Sequence, residues 1–240
     1  LKPWIEGTLG LRDLVAAHNE HRILPSRLMT LALYEATGAW SNLTEAKASA
    51  FVFATVIACL AWLGTTGIAV GARWFVASVV LVLGVLPFGW ENLLVGFQSQ
   101  FYFSLLFAIC AIALAARDSG SILAYGCIVL LAVLACLTMA SGLLTALTVA
   151  AICAVNALRG PSARPQPLLA AGALLAIAVV AYVTLPVVPG HAAMRAQGPR
   201  DFLHALTHAL GWPADSFHWT GVWLLAPSAA YTVHLLRRGD

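Results

Sequence analysis

The sequence predicts an all-α fold, a polytopic transmembrane helical bundle, and three observations carry that expectation. Of 240 residues, 61% are hydrophobic and only 10% charged, and the mean hydropathy is +0.87, far outside the range of a soluble domain. Apolar stretches recur at the length a helix needs to cross a hydrocarbon core, about 20 residues for about 30 Å. Lys and Arg fall at alternate ends of those stretches, as loop-charge bias requires.

In chain order, residues 27–40 form an apolar run that is short for a span and carries Glu35, so it reads as an interfacial or re-entrant helix. Seven spans follow, at about 48–70, 73–88, 100–116, 120–139, 142–158, 167–187 and 217–236. The fourth and fifth are one continuous apolar stretch, divided at Ser141-Gly142 because glycine permits a tight turn. Pro227 can kink the seventh. The chain opens on Leu1 without a signal-peptide pattern and stops directly after an apolar run, so both ends read as internal to a longer protein.

Arg73, Arg117, Arg159 with Arg164, and Arg237 with Arg238 mark the cytoplasmic ends of the spans, while 89–99 and 139–142 lack Lys and Arg. The organisation expected is an outer-face segment 1–47 with interfacial helices, then a bundle over 48–240 with outer loops at 89–99 and 188–216. The Ala-rich composition suggests a bacterial inner membrane, with the active face outward. A lipid bilayer is the first partner implied. Nucleic acid is not, because the net charge of +3 is scattered without a basic run. The five cysteines sit in apolar runs without metal-ligand spacing.

The polar residues gather in the outer segments. The densest group is His18-Asn19-Glu20-His21-Arg22, after a short segment Leu9–Ala17 that suits an interfacial helix. A carboxylate beside two imidazoles and a guanidinium can serve as a general base next to a phosphate site. The same five residues also suit a solvated helix end whose cations meet carbonyls or headgroups. His18 and His21, three apart, would share a helical face and could hold a metal, but no third ligand is evident. No cofactor is indicated, a divalent metal included.

The second group runs from Trp90, Glu91 and Asn92 through Phe97, Gln98 and Gln100 to Tyr102. Amides and a carboxylate among aromatics are what a sugar site uses, and an aromatic belt with polar helix caps looks the same. A third segment holds His191, Arg195, Arg200, Asp201, His204 and His208. A short helix would align Asp201, His204 and His208 on one side, as metal ligands or as an ordinary polar surface.

His18-Asn19-Glu20-His21-Arg22 followed by Pro25-Ser26-Arg27-Leu28, and later Gly96-Phe97-Gln98-Ser99-Gln100-Phe101, resemble recurrent stretches of uncharacterised bacterial polytopic membrane proteins. These are in turn similar to glycosyltransferases of the GT-C class. The resemblance covers roughly thirty residues; elsewhere it rests on hydropathy and loop layout. It implies a first outer loop with interfacial helices and an acidic catalytic residue, a many-spanned bundle and a polyprenyl-phosphate sugar donor.

The class commonly carries an Asp in that loop, often in a paired acidic motif, where this chain offers Glu20, with Asp13 upstream. The expected activity is therefore transfer of a polyprenyl-phosphate-linked sugar to a glycan or lipid acceptor. Glu20, or Asp13, would act as base. Arg22, His18 and His21 would hold phosphate, and Asn19, Trp90, Glu91, Asn92, Gln98, Gln100 and Tyr102 would hold substrate. The rival expectations are a transporter or flippase for lipid-linked glycans and a non-catalytic subunit of an envelope assembly complex. The span interiors carry essentially no ionisable residue apart from His234, which weighs against ion-coupled transport.

Overall fold

A computed structural model of the chain describes residues 2–66, 68–86, 90–159, 165–194 and 196–211, with isolated positions beyond. Among the described residues the chain is helical and has no strand. Three short helices come first, α1 (Lys2–Ile5), α2 (Leu11–Val15) and α3 (Leu24–Thr37). The apolar helices α4 (Asn42–Thr65) and α5 (Val70–Val85) follow. After them come α6 (Trp90–Leu94), a 3₁₀ turn over Gly96–Gln98, α7 (Ser99–Ala116), α8 (Ile122–Cys136), α9 (Gly142–Arg159) and α10 (Pro165–Val183).

Four helical stretches, Asn42–Thr65, Gly96–Ala116, Gly142–Arg159 and Pro165–Val183, are long and apolar enough to cross a membrane, and α5 and α8 are shorter apolar helices. Six of the seven expected spans thus appear as apolar helices. The seventh, 217–236, lies outside the described residues.

Boundaries differ where a polar cap starts an apolar helix. The first span begins at Asn42 rather than residue 48, because the Ser41 side chain accepts from the Thr44 N–H at 3.3 Å. A hydropathy ruler sees only the apolar part of such a helix, whereas the cap fixes its first turn. The shift places Glu45 in that turn and buries it to 7% exposure. The run expected at 27–40 is α3, begun at Leu24-Pro25 and ended by Gly38 at φ +69°, where glycine carries no steric penalty.

The helices pack through small side chains. Ala111, Ala132, Ala135 and Ala146 are fully buried together with Ile128 and Leu174, as expected where association in lipid depends on close backbone approach. The turn between α8 and α9 is as anticipated in place, but Gly142 serves a different purpose from the one expected. A Cβ there would overlap the Ala135 carbonyl and the Cys136 nitrogen, so the residue is needed for close packing rather than for turn conformation.

Residues 10–41 lie over one end of the bundle. Ile23 N–H donates to Thr138 O at 3.1 Å and Leu24 N–H to Leu137 O at 2.9 Å. Ser26 and Ser99 share a hydroxyl hydrogen bond of 2.8 Å. This end therefore gathers the starts of α4, α7 and α9 and the ends of α8 and α10. The opposite end carries Arg73 at the start of α5, Arg117 stacked 4.8 Å over Trp62, the Tyr125–Asp118 hydrogen bond of 2.7 Å, and Arg159 closing α9.

Loop-charge bias predicts that the arginine end faces the cytoplasm. In intact cells, and in a background lacking the native cysteines, cysteines at Asn19 and Glu91 are expected to react with a membrane-impermeant thiol reagent and one at Ser119 is not. All three positions are exposed, so the reverse pattern would invert the chain.

Residues 188–240 form a separate compact unit. Within it, Pro189–Met194 is a 3₁₀ helix and α11 spans Pro199–Gly211. The expected helix through Asp201, His204 and His208 is present, with the two imidazole Nε2 atoms 3.2 Å apart. Asp201 accepts from the Gln197 N–H at 3.2 Å. Among the described residues no three metal-ligating side chains converge.

Candidate functional site

The pentapeptide at residues 18–22 is a tight turn and not a helix end. His18 N–H donates to His21 O and His21 N–H to His18 O at 3.0 Å, with Asn19 at φ +53° on its tip. Asparagine tolerates this left-handed conformation better than most residues. The expectation that His18 and His21 share a helical face is therefore corrected: they oppose one another across a two-residue reversal. Their rings go separate ways. His18 meets the edge of Phe97 at a centroid distance of 4.8 Å, and His21 Nδ1 accepts from the Ala140 N–H at 3.3 Å.

The reversal sends Glu20 and Arg22 toward a cavity of about 520 Å³ between α8, α10 and the start of α9. Its depth is apolar, lined by Val133, Leu143, Ile177, Val180 and Ala181, among others. Its lining along α10 runs from Ala176 to Ala181, about 8 Å at 1.5 Å per residue, and continues through Thr184, Leu185 and Pro186 beyond the helix. Glu20 and Arg22 are its charged members. Arg22 donates from Nη1 to Val15 O and from Nη2 to Thr184 O, each at 3.0 Å. That bridge fixes the loop to the end of α10, and a guanidinium with five N–H groups retains donors beyond these two. Arg22 thus meets carbonyls, as the solvated-end alternative supposed, while still lining the cavity.

Asp13 lies elsewhere. Its carboxylate caps α2 by accepting from the Gly10 N–H at 2.8 Å, and it lines a second cavity of about 310 Å³ with Ser26, Arg27, Thr30, Glu45 and Phe97. The segment 13–27 therefore walls both cavities, Val15, Glu20 and Arg22 on one and Asp13, Ile23, Ser26 and Arg27 on the other. Arg27 Nη1 donates to Leu14 O at 2.8 Å and Ala16 O at 2.6 Å. Burial lowers the Arg27 pKa, opposed by the nearby Asp13 charge.

The second expected group does not assemble around Glu20. Glu91 is exposed and Asn92 half-buried on α6; Trp90 opens that helix, and its side chain lies outside the described residues. Gln100 is buried to 4% exposure on α7, and Tyr102 packs on Phe53 of α4 at 4.9 Å. None of these, nor Gln98, Asn19, His18 or His21, lines either cavity. Among the described side chains of that stretch, Phe97 is the aromatic that reaches a cavity.

Glu45, Thr30 and Arg27 were not singled out by the sequence reading, although Arg27 belongs to the Pro25-Ser26-Arg27-Leu28 stretch. A second signal was Gly96: a Cβ there would overlap that of Glu45, so the glycine makes room for the carboxylate-bearing turn. No family model, curated protein or solved structure matches this chain.

Proposed function

We propose that the chain is part of a membrane glycosyltransferase that moves a sugar from a polyprenyl-phosphate donor to a glycan or lipid acceptor at the outer face. The observation that carries this reading is the first cavity, apolar along the bundle and charged only where Glu20 and Arg22 close it. An amphiphile with an isoprenoid tail and a phosphate head has that same division, and a depth of about 8 Å along α10 suits the head-proximal part of such a tail.

In the reaction, the acceptor hydroxyl gives its proton to the Glu20 carboxylate as its oxygen forms the new bond to the anomeric carbon. The bond from that carbon to the phosphate oxygen breaks, and the electron pair leaves with the phosphate. The remaining N–H groups of Arg22 stabilise the charge that develops there. Asp13 lines the other cavity and has no part in this step. His21 has a positioning role, through Ala140, and the α7 residues Gln100 and Tyr102 support packing.

Filling the cavity tests the reading. Ala181→Trp, on the α10 wall, is expected to reduce binding of polyprenyl phosphate to the full-length protein at least tenfold while thermal unfolding stays unchanged. Undiminished binding would contradict the donor site.

A second reading, translocation of a lipid-linked glycan, is favoured by two buried polar atoms on α4 and α7. Ser49 Oγ and Gln100 Oε1 are buried without hydrogen-bond partners among the described residues, and orphaned polar atoms invite a polar passenger or water. Retained transport in a vesicle assay with Glu20→Gln would support this alternative.

A further inference from the structure

The second cavity contains a buried carboxylate without a counter-ion. Glu45 is 7% exposed, accepts a hydrogen bond from the Thr30 hydroxyl, and lines the cavity. Among the described residues, no Lys, Arg or His lies within ion-pair distance of it or of Asp13; the ion pair found there is Lys2–Glu6. The cavity's own cation, Arg27, donates from Nη1 to two backbone carbonyls and offsets part of the Asp13 charge. A buried anion of this kind is costly unless a cation joins it or a proton neutralises it.

The remaining lining decides what kind of cation fits. At about 310 Å³, with Phe97 and the apolar Leu9, Leu14 and Ile23 in its wall, the cavity is far larger than a dehydrated metal ion, and its apolar side offers no oxygen to complete a hard cation's shell. An ammonium group on a compact organic body uses all of it. The charge meets Glu45 and Asp13, and the body packs on the apolar wall and the Phe97 ring, whose face also attracts cations.

From this geometry we infer that the cavity between α2, α3 and the start of α4 binds a small primary amine, either soluble or carried on a lipid headgroup. The inference rests on the cavity and not on the transfer reading, so either can fail alone.

The test is calorimetric titration of the full chain in nanodiscs with three probes: ethanolamine, glucosamine, and N-acetylglucosamine, whose ring is the same but whose nitrogen carries no charge. In phosphatidylglycerol discs, ethanolamine and glucosamine are expected to bind saturably, and N-acetylglucosamine at least tenfold more weakly. Glu45→Gln is expected to lower the amine affinity at least tenfold with the helical circular dichroism retained. If that variant does not fold, Asp13→Asn, at an exposed carboxylate, should give a smaller loss of the same sign.

A lipid source is recognised when phosphatidylethanolamine discs raise the thermal midpoint of the wild-type chain and suppress the soluble-amine signal; this outcome also supports the amine site. Equal binding of N-acetylglucosamine, unchanged affinity in both variants, or no saturable binding in either disc would overturn it.

Discussion

Glu20→Gln in the full-length protein is expected to lower sugar transfer by roughly 10²–10⁴-fold, the contribution of a positioned general base, with expression and membrane insertion unchanged. The substitution keeps side-chain size and removes the basic oxygen. Glu20 is half-buried at the mouth of the apolar cavity, and the turn that presents it is held by backbone hydrogen bonds from His18 and His21, which the change leaves intact. A transfer assay on membranes containing the variant reads the effect. Full activity would remove Glu20 as the base, and Asp13 would not inherit the role at the same cavity, because it lines the other one.

Gly142→Ala is the structural change expected to cost most. The added methyl group meets main-chain atoms of Ala135 and Cys136, which cannot swing aside as a side chain would, so α8 and α9 must separate. Overpacking of this kind costs about 1–3 kcal/mol, more when backbone must move. The damage extends to the site, because the connection displaced includes Thr138, Leu137 and Ala140, the partners of Ile23, Leu24 and His21. Gly172→Ala is the control. Nothing lies within 4 Å of a Cβ at Gly172, and an exposed helical Gly→Ala change is stabilising by about 0.5–1 kcal/mol. Thermal unfolding of both variants in one detergent gives the comparison; equal midpoints would show that the α8/α9 contact is looser than described.

Hydropathy and loop charge made the membrane helices legible, because lipid leaves helices as the way to satisfy backbone polar groups of an apolar segment. The six apolar helices of residues 42–183 follow from that rule. Their first turns did not, because capping depends on single polar side chains such as Ser41. Glu20 and Arg22 were visible as a charged cluster, but their common cavity depends on the reversal at Asn19, which follows the short helix expected over Leu9–Ala17 and has no signal in hydropathy. Gln98, Gln100 and Tyr102 looked like a sugar platform because amides and aromatics also line helix seams, and sequence does not say which way a side chain turns. Glu45 stayed hidden for a related reason: it stood at the edge of an apolar run as an ordinary helix-start acid, and only the missing Cβ of Gly96 marks the room made for it.

Photolabelling tests the donor site most directly. A polyprenyl phosphate with a diazirine on its first isoprene unit, irradiated with the full-length protein and mapped by mass spectrometry, is expected to label the walls of the first cavity, at Val133, Leu143, Ile177 or Ala181, with labelling competed by unmodified polyprenyl phosphate. Labelling spread over the outward-facing residues of α5, such as Leu83 and Val85, and insensitive to competitor would mean that the lipid meets the bundle only as solvent, and would contradict the account.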